Sequence, residues 1–157
     1  MTADLSNRQI QGYRFLTRIG MGGAAILWKA ESRDKKRVVA VKILRPEVAA
    51  DKKARAALEQ EYRIGKAFDH PGLLRYLEHG LLRDTPYLMM EYFPSATLRT
   101  AIAGTASPPV PVFKNAKAIV SRAAEALAYV HERGIVHRDI KPENLLVNPA
   151  GEVRLID

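Results

Sequence analysis

The feature that most constrains this 157-residue chain is a series of strand-length apolar segments between Tyr13 and Leu44, separated only by a glycine-rich turn and a charged turn. Apolar and polar residues alternate from Tyr13 to Ile19, Gly20 to Gly23 supply a turn, and Ile26 to Ala30 resume the apolar pattern. A period of two marks a strand, and glycines allow the sharp reversal between two strands. After the charged turn Arg33 to Arg37, the β-branched segment Val38 to Leu44 reads as a third strand. It ends at Pro46, because proline offers no N–H to a ladder. Connections this short join antiparallel neighbours.

Residues 51–68 are rich in Ala, Lys, Glu and Leu and contain no proline, which predicts a helix. His70-Pro71-Gly72 ends it. Two further apolar segments, Leu73 to Leu82 and Tyr87 to Phe93, flank a turn at Asp84-Thr85-Pro86 and give strands four and five. Three prolines between Gly104 and Pro111 mark a loop. From Asn115 to Arg133, Ile119, Ala123, Leu127 and Val130 share one helical face, and Gly134 follows as a C-terminal cap. The loop Ile135 to Asn144 leads to a short hairpin of Leu145 to Val147 and Val153 to Ile156. The expected fold class is α+β: a five-stranded antiparallel sheet with one inserted helix, followed by a mainly helical part. Residues 1–12 read as an N-terminal tail, 13–93 as the sheet domain and 94–157 as the second domain.

Composition narrows the functions open to such a chain. There is no cysteine, so neither a disulfide framework nor a thiolate metal site can form. The net charge of +8 suits an acidic partner, but the basic residues scatter in short runs such as Lys35-Lys36-Arg37 and Lys52-Lys53, so no nucleic-acid partner is expected. Met1 to Ile10 is polar and lacks the apolar heart of a signal peptide. No stretch of about 18 apolar residues occurs, and the expectation is a cytoplasmic chain, with an anchor beyond residue 157 left open.

Three constellations carry chemistry. In Ile19-Gly20-Met21-Gly22-Gly23-Ala24-Ala25-Ile26-Leu27 the glycines would let main-chain N–H groups approach phosphate oxygens, with positive φ available at no cost. On its own the motif also fits a plain glycine-rich hairpin, and because it leads into a strand it is neither a mononucleotide P-loop nor a dinucleotide fingerprint. Second, Lys42 interrupts an otherwise apolar strand, sharing a face with Ala40 and Leu44. It is either a snorkelling surface lysine or a cation in need of a carboxylate. In the helix, the apolar stripe of Leu58, Tyr62, Ile64 and Phe68 centres roughly 20° from Glu61 and roughly 140° from Glu59 at about 100° per residue. Glu61 therefore faces inward, as a partner for Lys42, and Glu59 faces solvent. Third, Val136-His137-Arg138-Asp139-Ile140-Lys141-Pro142-Glu143-Asn144 displays a carboxylate, a cation two residues on and an amide five residues on. That set can orient a hydroxyl, neutralise a phosphate and hold a metal ion.

Together these motifs, in this order, resemble the eukaryotic-type serine/threonine protein kinases that also occur in bacteria, over essentially all of Tyr13 to Asp157. The resemblance implies a small lobe with the five-stranded sheet and its helix, a partial large lobe, and transfer of the γ-phosphoryl group of ATP, with Mg2+, to serine or threonine of a protein substrate. It implies that Gly20, Gly22 and Ala25 stand at the three glycine positions of the phosphate-covering loop, beside Gly23, and that Leu27, Ala40 and Leu146 line the nucleotide. Lys42 would grip the α- and β-phosphates while Glu61 holds it. Met90 would be the gatekeeper, with the main chain of Glu91 and Phe93 meeting adenine at the hinge. Asp139 would orient the attacking hydroxyl, Lys141 would steady the γ-phosphate, and Asn144 and Asp157 would bind magnesium. His137 would be a packing residue outside the catalytic set.

Departures from the family pattern shape further expectations. Ala25 replaces the third glycine, which weakens closure of the loop. Gly65, one turn after Glu61, stands where the family carries a larger apolar residue, which predicts a packing gap and a mobile helix at about 1 kcal/mol in propensity. The Phe-Gly, the activation segment and the Ala-Pro-Glu of the family do not follow Asp157 in this sequence, so the stretch itself is expected to be poorly active. Two other readings stand beside catalysis: a nucleotide-binding scaffold that transfers nothing, and a phosphotransferase acting on small molecules.

Overall fold

The alternation between Tyr13 and Leu44 folds as an antiparallel meander. A computed structural model of the chain describes residues 5–156, which divide into two units: residues up to 67 with 75–92, and residues 68–74 with those from 93 onward.

The first unit holds β1 (Gln9–Ile10), β2 (Tyr13–Met21), β3 (Ala25–Ser32), β4 (Val38–Leu44), α1 (Lys52–Lys66), β5 (Tyr76–Leu82) and β6 (Thr85–Glu91). They make one six-stranded sheet in the order β1-β2-β3-β4-β6-β5. Every pairing is antiparallel. The sheet thus has one strand more than the sequence suggests. β1 lies in the segment read as a tail, and its two residues are too few to show a period. Leu5 and Ile10 nevertheless bury themselves in the core with Phe15, Ile26, Trp28, Val41, Ile43, Tyr87 and Met89.

Register sorts the side chains by face. Leu27, Lys42 and Leu88 stand abreast on β3, β4 and β6, as do Lys29, Ala40 and Met90. The alternate rows, Ile26–Ile43–Tyr87 and Trp28–Val41–Met89, belong to the core. The turn between β5 and β6 falls at Arg83 and Asp84, with Arg83 at φ 55°, rather than at Asp84 to Pro86. Pro86 can stand inside β6 because the ladder with β4 starts only at Tyr87.

Helix α1 starts at a carboxylate cap, Asp51 accepting from the N–H groups of Lys53 at 2.7 Å and Ala54 at 2.9 Å. Leu58 and Gly65 are its buried residues, Glu61 and Tyr62 are half-buried, and Glu59 is exposed. Ile64, assigned above to the apolar stripe, is 36% exposed. It lies about 80° from the stripe centre whereas Gly65 lies about 20° from it. The gap expected at Gly65 is absent: a Cβ built there would fall 2.4 Å from Cδ2 of Tyr76, so the tyrosine ring already fills the space.

In the second unit, β7 (Ala96–Thr97), β8 (Leu145–Val147) and β9 (Val153–Leu155) form a three-stranded sheet with β8 in the middle. Helices α2 (Leu98–Ile102) and α3 (Val112–His131) accompany it, and a 3-10 turn covers Pro142–Asn144. Ala101, Val112, Ile119, Ala126, Leu145, Val147, Val153 and Leu155 make the core, with Ala123 and Leu127 packed against it. Gly134 takes φ 75° after α3, a conformation that costs glycine little. The apolar run from Leu73 to Leu82 is split. Leu73 bridges to Leu155, and Leu74 donates to the Leu155 carbonyl, so the strand proper begins only at Tyr76.

Candidate functional site

The glycine-rich turn is a tight connection in which the Gly22 N–H donates to the Ala25 carbonyl at 2.8 Å. Gly20, Gly22 and Gly23 do not adopt positive φ, which among the described glycines is confined to Gly12, Gly104, Gly134 and Gly151. Their value is room. A Cβ at Gly23 would meet nothing within 4 Å, and one at Gly22 only the Ala25 carbonyl at 3.7 Å. The main chain there is thus open to a ligand through lack of side chains, not through left-handed geometry. Sequence reading assigned nothing to Arg45, yet its N–H donates to the Ala24 carbonyl at 2.8 Å and its guanidinium to that of Gly23 at 3.3 Å, fixing the turn to the end of β4.

Lys42 points from β4 to α1, where its ammonium meets both carboxylate oxygens of Glu61, at 2.9 and 2.8 Å. Both side chains keep limited access to solvent, 25% and 21%. A cation on a mostly apolar face is stable there because the charge is paired without being fully desolvated. Two residues not singled out from the sequence adjoin this pair. Leu88 is fully buried and stands in register with Lys42. The Tyr76 hydroxyl lies 3.3 Å from Glu61 Oε1. The register also brings Leu27, Ala40, Lys42 and Met90 to one face, Ala40 and Met90 being buried.

Glu91 pairs with Val39, in the row that belongs to the other face. Its N–H donates to the Arg75 carbonyl at 2.9 Å and its carboxylate accepts from the Arg75 N–H at 3.0 Å, which fixes the end of β6 to the segment before β5. In the second unit the Phe93 carbonyl accepts from the Ser95 hydroxyl at 2.9 Å, and the Arg154 guanidinium covers the Phe93 ring at 4.6 Å. Leu146 is half-buried between Leu145 and Val147, both of which turn into the core.

The loop before β8 draws three expected residues together. Lys141 Nζ donates to Asp139 Oδ2 at 2.6 Å, and Asn144 Nδ2 donates to the same oxygen and to the Asp139 carbonyl, each at 2.9 Å. The hydrogen bond from Lys141, with help from Asn144 and against a smaller desolvation cost, holds the Asp139 carboxyl below the usual carboxylate range. Arg138 beside it adopts φ 65°, a left-handed conformation that costs a non-glycine residue about 1–2 kcal/mol.

His137 is engaged at both ring nitrogens. The Asp139 N–H lies 3.3 Å from Nδ1 and the Ile156 carbonyl 3.0 Å from Nε2. An N–H can only donate and a carbonyl only accept, which assigns the proton to Nε2 and leaves no free lone pair for proton transfer. Ile156 is also held by its own N–H, which donates to the Asn144 carbonyl at 3.0 Å. Asp157, expected as a magnesium ligand, lies outside the described residues. Among the described residues no group of three or more His, Cys, Asp or Glu gathers as a metal site. The donor chemistry of Asn144 still fits a hard cation: its amide nitrogen is committed to Asp139, which turns the oxygen away from that carboxylate. No helix among the described residues is long and apolar enough to cross a membrane.

Residues 13–157 match the family model of the protein kinase domain. The serine/threonine-protein kinase PrkC of Bacillus subtilis is 36% identical over 154 residues, covering 98% of this chain and 23% of that protein. The serine/threonine-protein kinase PknB of Mycobacterium leprae is 34% identical over 143 residues, covering 88% and 22%. The chain therefore spans less than a quarter of the length of these relatives. The crystal structure of the Mycobacterium tuberculosis PknI kinase domain superposes with a TM-score of 0.71 at 27% identity, over 98% of this chain and 62% of that one. The apo form of PpkA-294 shares the fold at 22% identity, with a TM-score of 0.80 over 100% of this chain and 62% of that one. With the expected motifs on their expected elements and a family match from Tyr13 to the last residue, this chain belongs to the protein kinase domain family.

Proposed function

We propose that this chain carries the nucleotide-binding and catalytic-loop residues of a protein kinase that transfers the γ-phosphoryl group of Mg·ATP to serine or threonine hydroxyls of a protein substrate. The observation that carries this reading is the Asp139 carboxylate held by Lys141 at 2.6 Å and Asn144 at 2.9 Å within one loop. Phosphoryl transfer passes through a loose transition state in which positioning and charge neutralisation outweigh covalent help.

On this reading Lys42, fixed by Glu61, takes the α- and β-phosphates, and the open main chain of Gly20 to Ala25 covers them. Leu27, Ala40, Met90 and Leu146 line the base, the main chain of Glu91 and Phe93 orients it, and Asn144 and Asp157 hold magnesium. Magnesium, when bound, neutralises phosphate charge. A hydroxyl oxygen attacks the γ-phosphorus, the bond to the β,γ-bridging oxygen breaks, and the hydroxyl proton passes to Asp139. A carboxylate whose pKa is held low is a weak base, so Asp139 orients the hydroxyl first and takes its proton late. Lys141, bonded to Asp139 beforehand, is available to the γ-phosphoryl oxygens as negative charge redistributes.

The test is phosphotransfer from ATP to a serine- and threonine-containing protein acceptor, measured for the protein as expressed from its gene and for its Lys42→Ala and Asp139→Asn variants. Transfer is expected to fall at least about a hundredfold in both, with ATP still raising the melting temperature of Asp139→Asn. Unchanged transfer in either variant overturns the assignment. ATP binding without any transfer by the unaltered protein would identify a scaffold instead.

A further inference from the structure

We propose that Tyr76 is a positioning residue for the Lys42–Glu61 pair, admitted to its place by the missing side chain of Gly65. This rests on the reading of Lys42 as the phosphate-binding lysine.

Gly65 is buried on the face of α1 that meets the sheet. A Cβ on Gly65 would lie 2.4, 2.5 and 2.9 Å from Cδ2, Cε2 and Cγ of Tyr76. Those separations are shorter than any real contact of a Cβ, so the ring occupies the volume that every other residue at position 65 would claim. The two positions are complementary: the glycine removes a side chain from the helix, and the strand returns an aromatic one.

The pairing of β5 with β6 supplies the aim. Tyr76 stands opposite Met90, and the register shifts between Tyr76 and Glu78. An irregularity of this kind bends a strand and redirects its side chains. Tyr76 as a whole is 8% exposed, and its ring ends in a hydroxyl 3.3 Å from Glu61 Oε1. That oxygen also accepts from Lys42 at 2.9 Å, and its twin accepts at 2.8 Å. A carboxylate only accepts, so the tyrosine O–H is the donor. A second donor on a separate element, making the third hydrogen bond, limits rotation of the carboxylate and keeps both oxygens turned to the lysine. The ring spaces α1 from the sheet, and the hydroxyl sets the carboxylate.

Removing the hydroxyl while keeping the ring separates packing from positioning. ATP dissociation constants and melting temperatures are measured for the full protein as Tyr76→Phe, Glu61→Gln, the two combined, and Lys42→Ala. Tyr76→Phe is expected to weaken ATP about fivefold with little change in melting temperature, and to have no further effect in the Glu61→Gln background. No loss of affinity in Tyr76→Phe overturns the proposal, as does an equal loss in both backgrounds, which would mean that the hydroxyl acts independently of Glu61. Gly65→Ala is the second variant: it pushes the ring aside and is expected to weaken ATP by at least as much. Unchanged ATP affinity there overturns the proposal too. If Lys42→Ala binds ATP as tightly as the unaltered protein, the reading of the lysine itself fails. If Lys42→Ala loses affinity while Tyr76→Phe and Gly65→Ala do not, only the role of Tyr76 falls.

Discussion

The Asn144 side-chain amide donates to Asp139 twice, to its main-chain carbonyl and to its carboxylate, at 2.9 Å in each case. One buried amide thus fixes both the path of the loop and the direction of its acid. Asn144 is 5% exposed, and its own N–H and carbonyl are tied to the Lys141 carbonyl and the Ile156 N–H.

Replacing this amide separates structure from chemistry. Asn144→Ala leaves the Asp139 carbonyl without its amide donor and is expected to cost about 1–3 kcal/mol of stability, read from denaturant unfolding. Asn144→Asp keeps the size but sets a second carboxylate against Asp139. The expected result is a raised carboxyl pKa at Asp139 and a loop that recovers its order only at acid pH. Unaltered unfolding curves for both variants would show that the twin hydrogen bond contributes nothing.

The depressed pKa of Asp139 has a direction that can be tested. Its folded value lies below the unfolded one, mainly through the hydrogen bond from Lys141. The linked stabilisation is therefore present above the unfolded value and is lost as pH falls through the folded one. In Lys141→Met the carboxyl should titrate closer to the ordinary 3.8, so that protonation begins at higher pH than in the unaltered chain. Carbon-13 NMR titration of the labelled carboxyl reads the difference. A lower value in the variant would contradict this account.

Tyr87 behaves in the opposite sense. It is 1% exposed and its hydroxyl donates to Glu78 at 2.7 Å. Burial, followed by the bond to the carboxylate, pushes its pKa from 10.0 up to about 12. The stabilisation is full below the unfolded value and disappears as pH rises through about 12. In spectrophotometric titration the part of the signal lost in Tyr87→Phe should fall near pH 12 and not near 10. The same variant should lose about 1 kcal/mol of stability at neutral pH, because the hydrogen bond to Glu78 goes with the hydroxyl.

Much of this architecture was legible in the sequence because it rests on periodicities. The alternation in Val38–Leu44 gives the face of Lys42, and the turn of the helix gives the side of Glu61, two angles that suffice to bring a lysine and a glutamate together. What was not legible depends on single residues seen from a distance. Leu5 and Ile10 look like strays in a polar segment until the sheet they cover exists. Gly65 looks like a void because nothing near it in sequence announces that Tyr76, on another element, will fill it. The apolar run Leu73 to Leu82 offers no sign that its first residues belong to a different unit, since a bridge to Leu155 is decided by tertiary pairing rather than by pattern.

The pleat of β4 divides its residues between two constituencies. Val39, Val41 and Ile43 fill a closed volume, where almost any change of shape must be absorbed by neighbours such as Trp28 and Met89. Ala40 and Lys42, one position away, stand in register with Leu27, Lys29, Leu88 and Met90 on the opposite side. Odd and even positions of the same seven residues thus answer to different demands, one set to the packing of the core and the other to the helix that supplies Glu61 and, on the proposed reading, to the nucleotide. If the proposed reading holds, a change at Lys42 alters affinity with the core row untouched, while a change at Val41 is felt first by Trp28 and Met89.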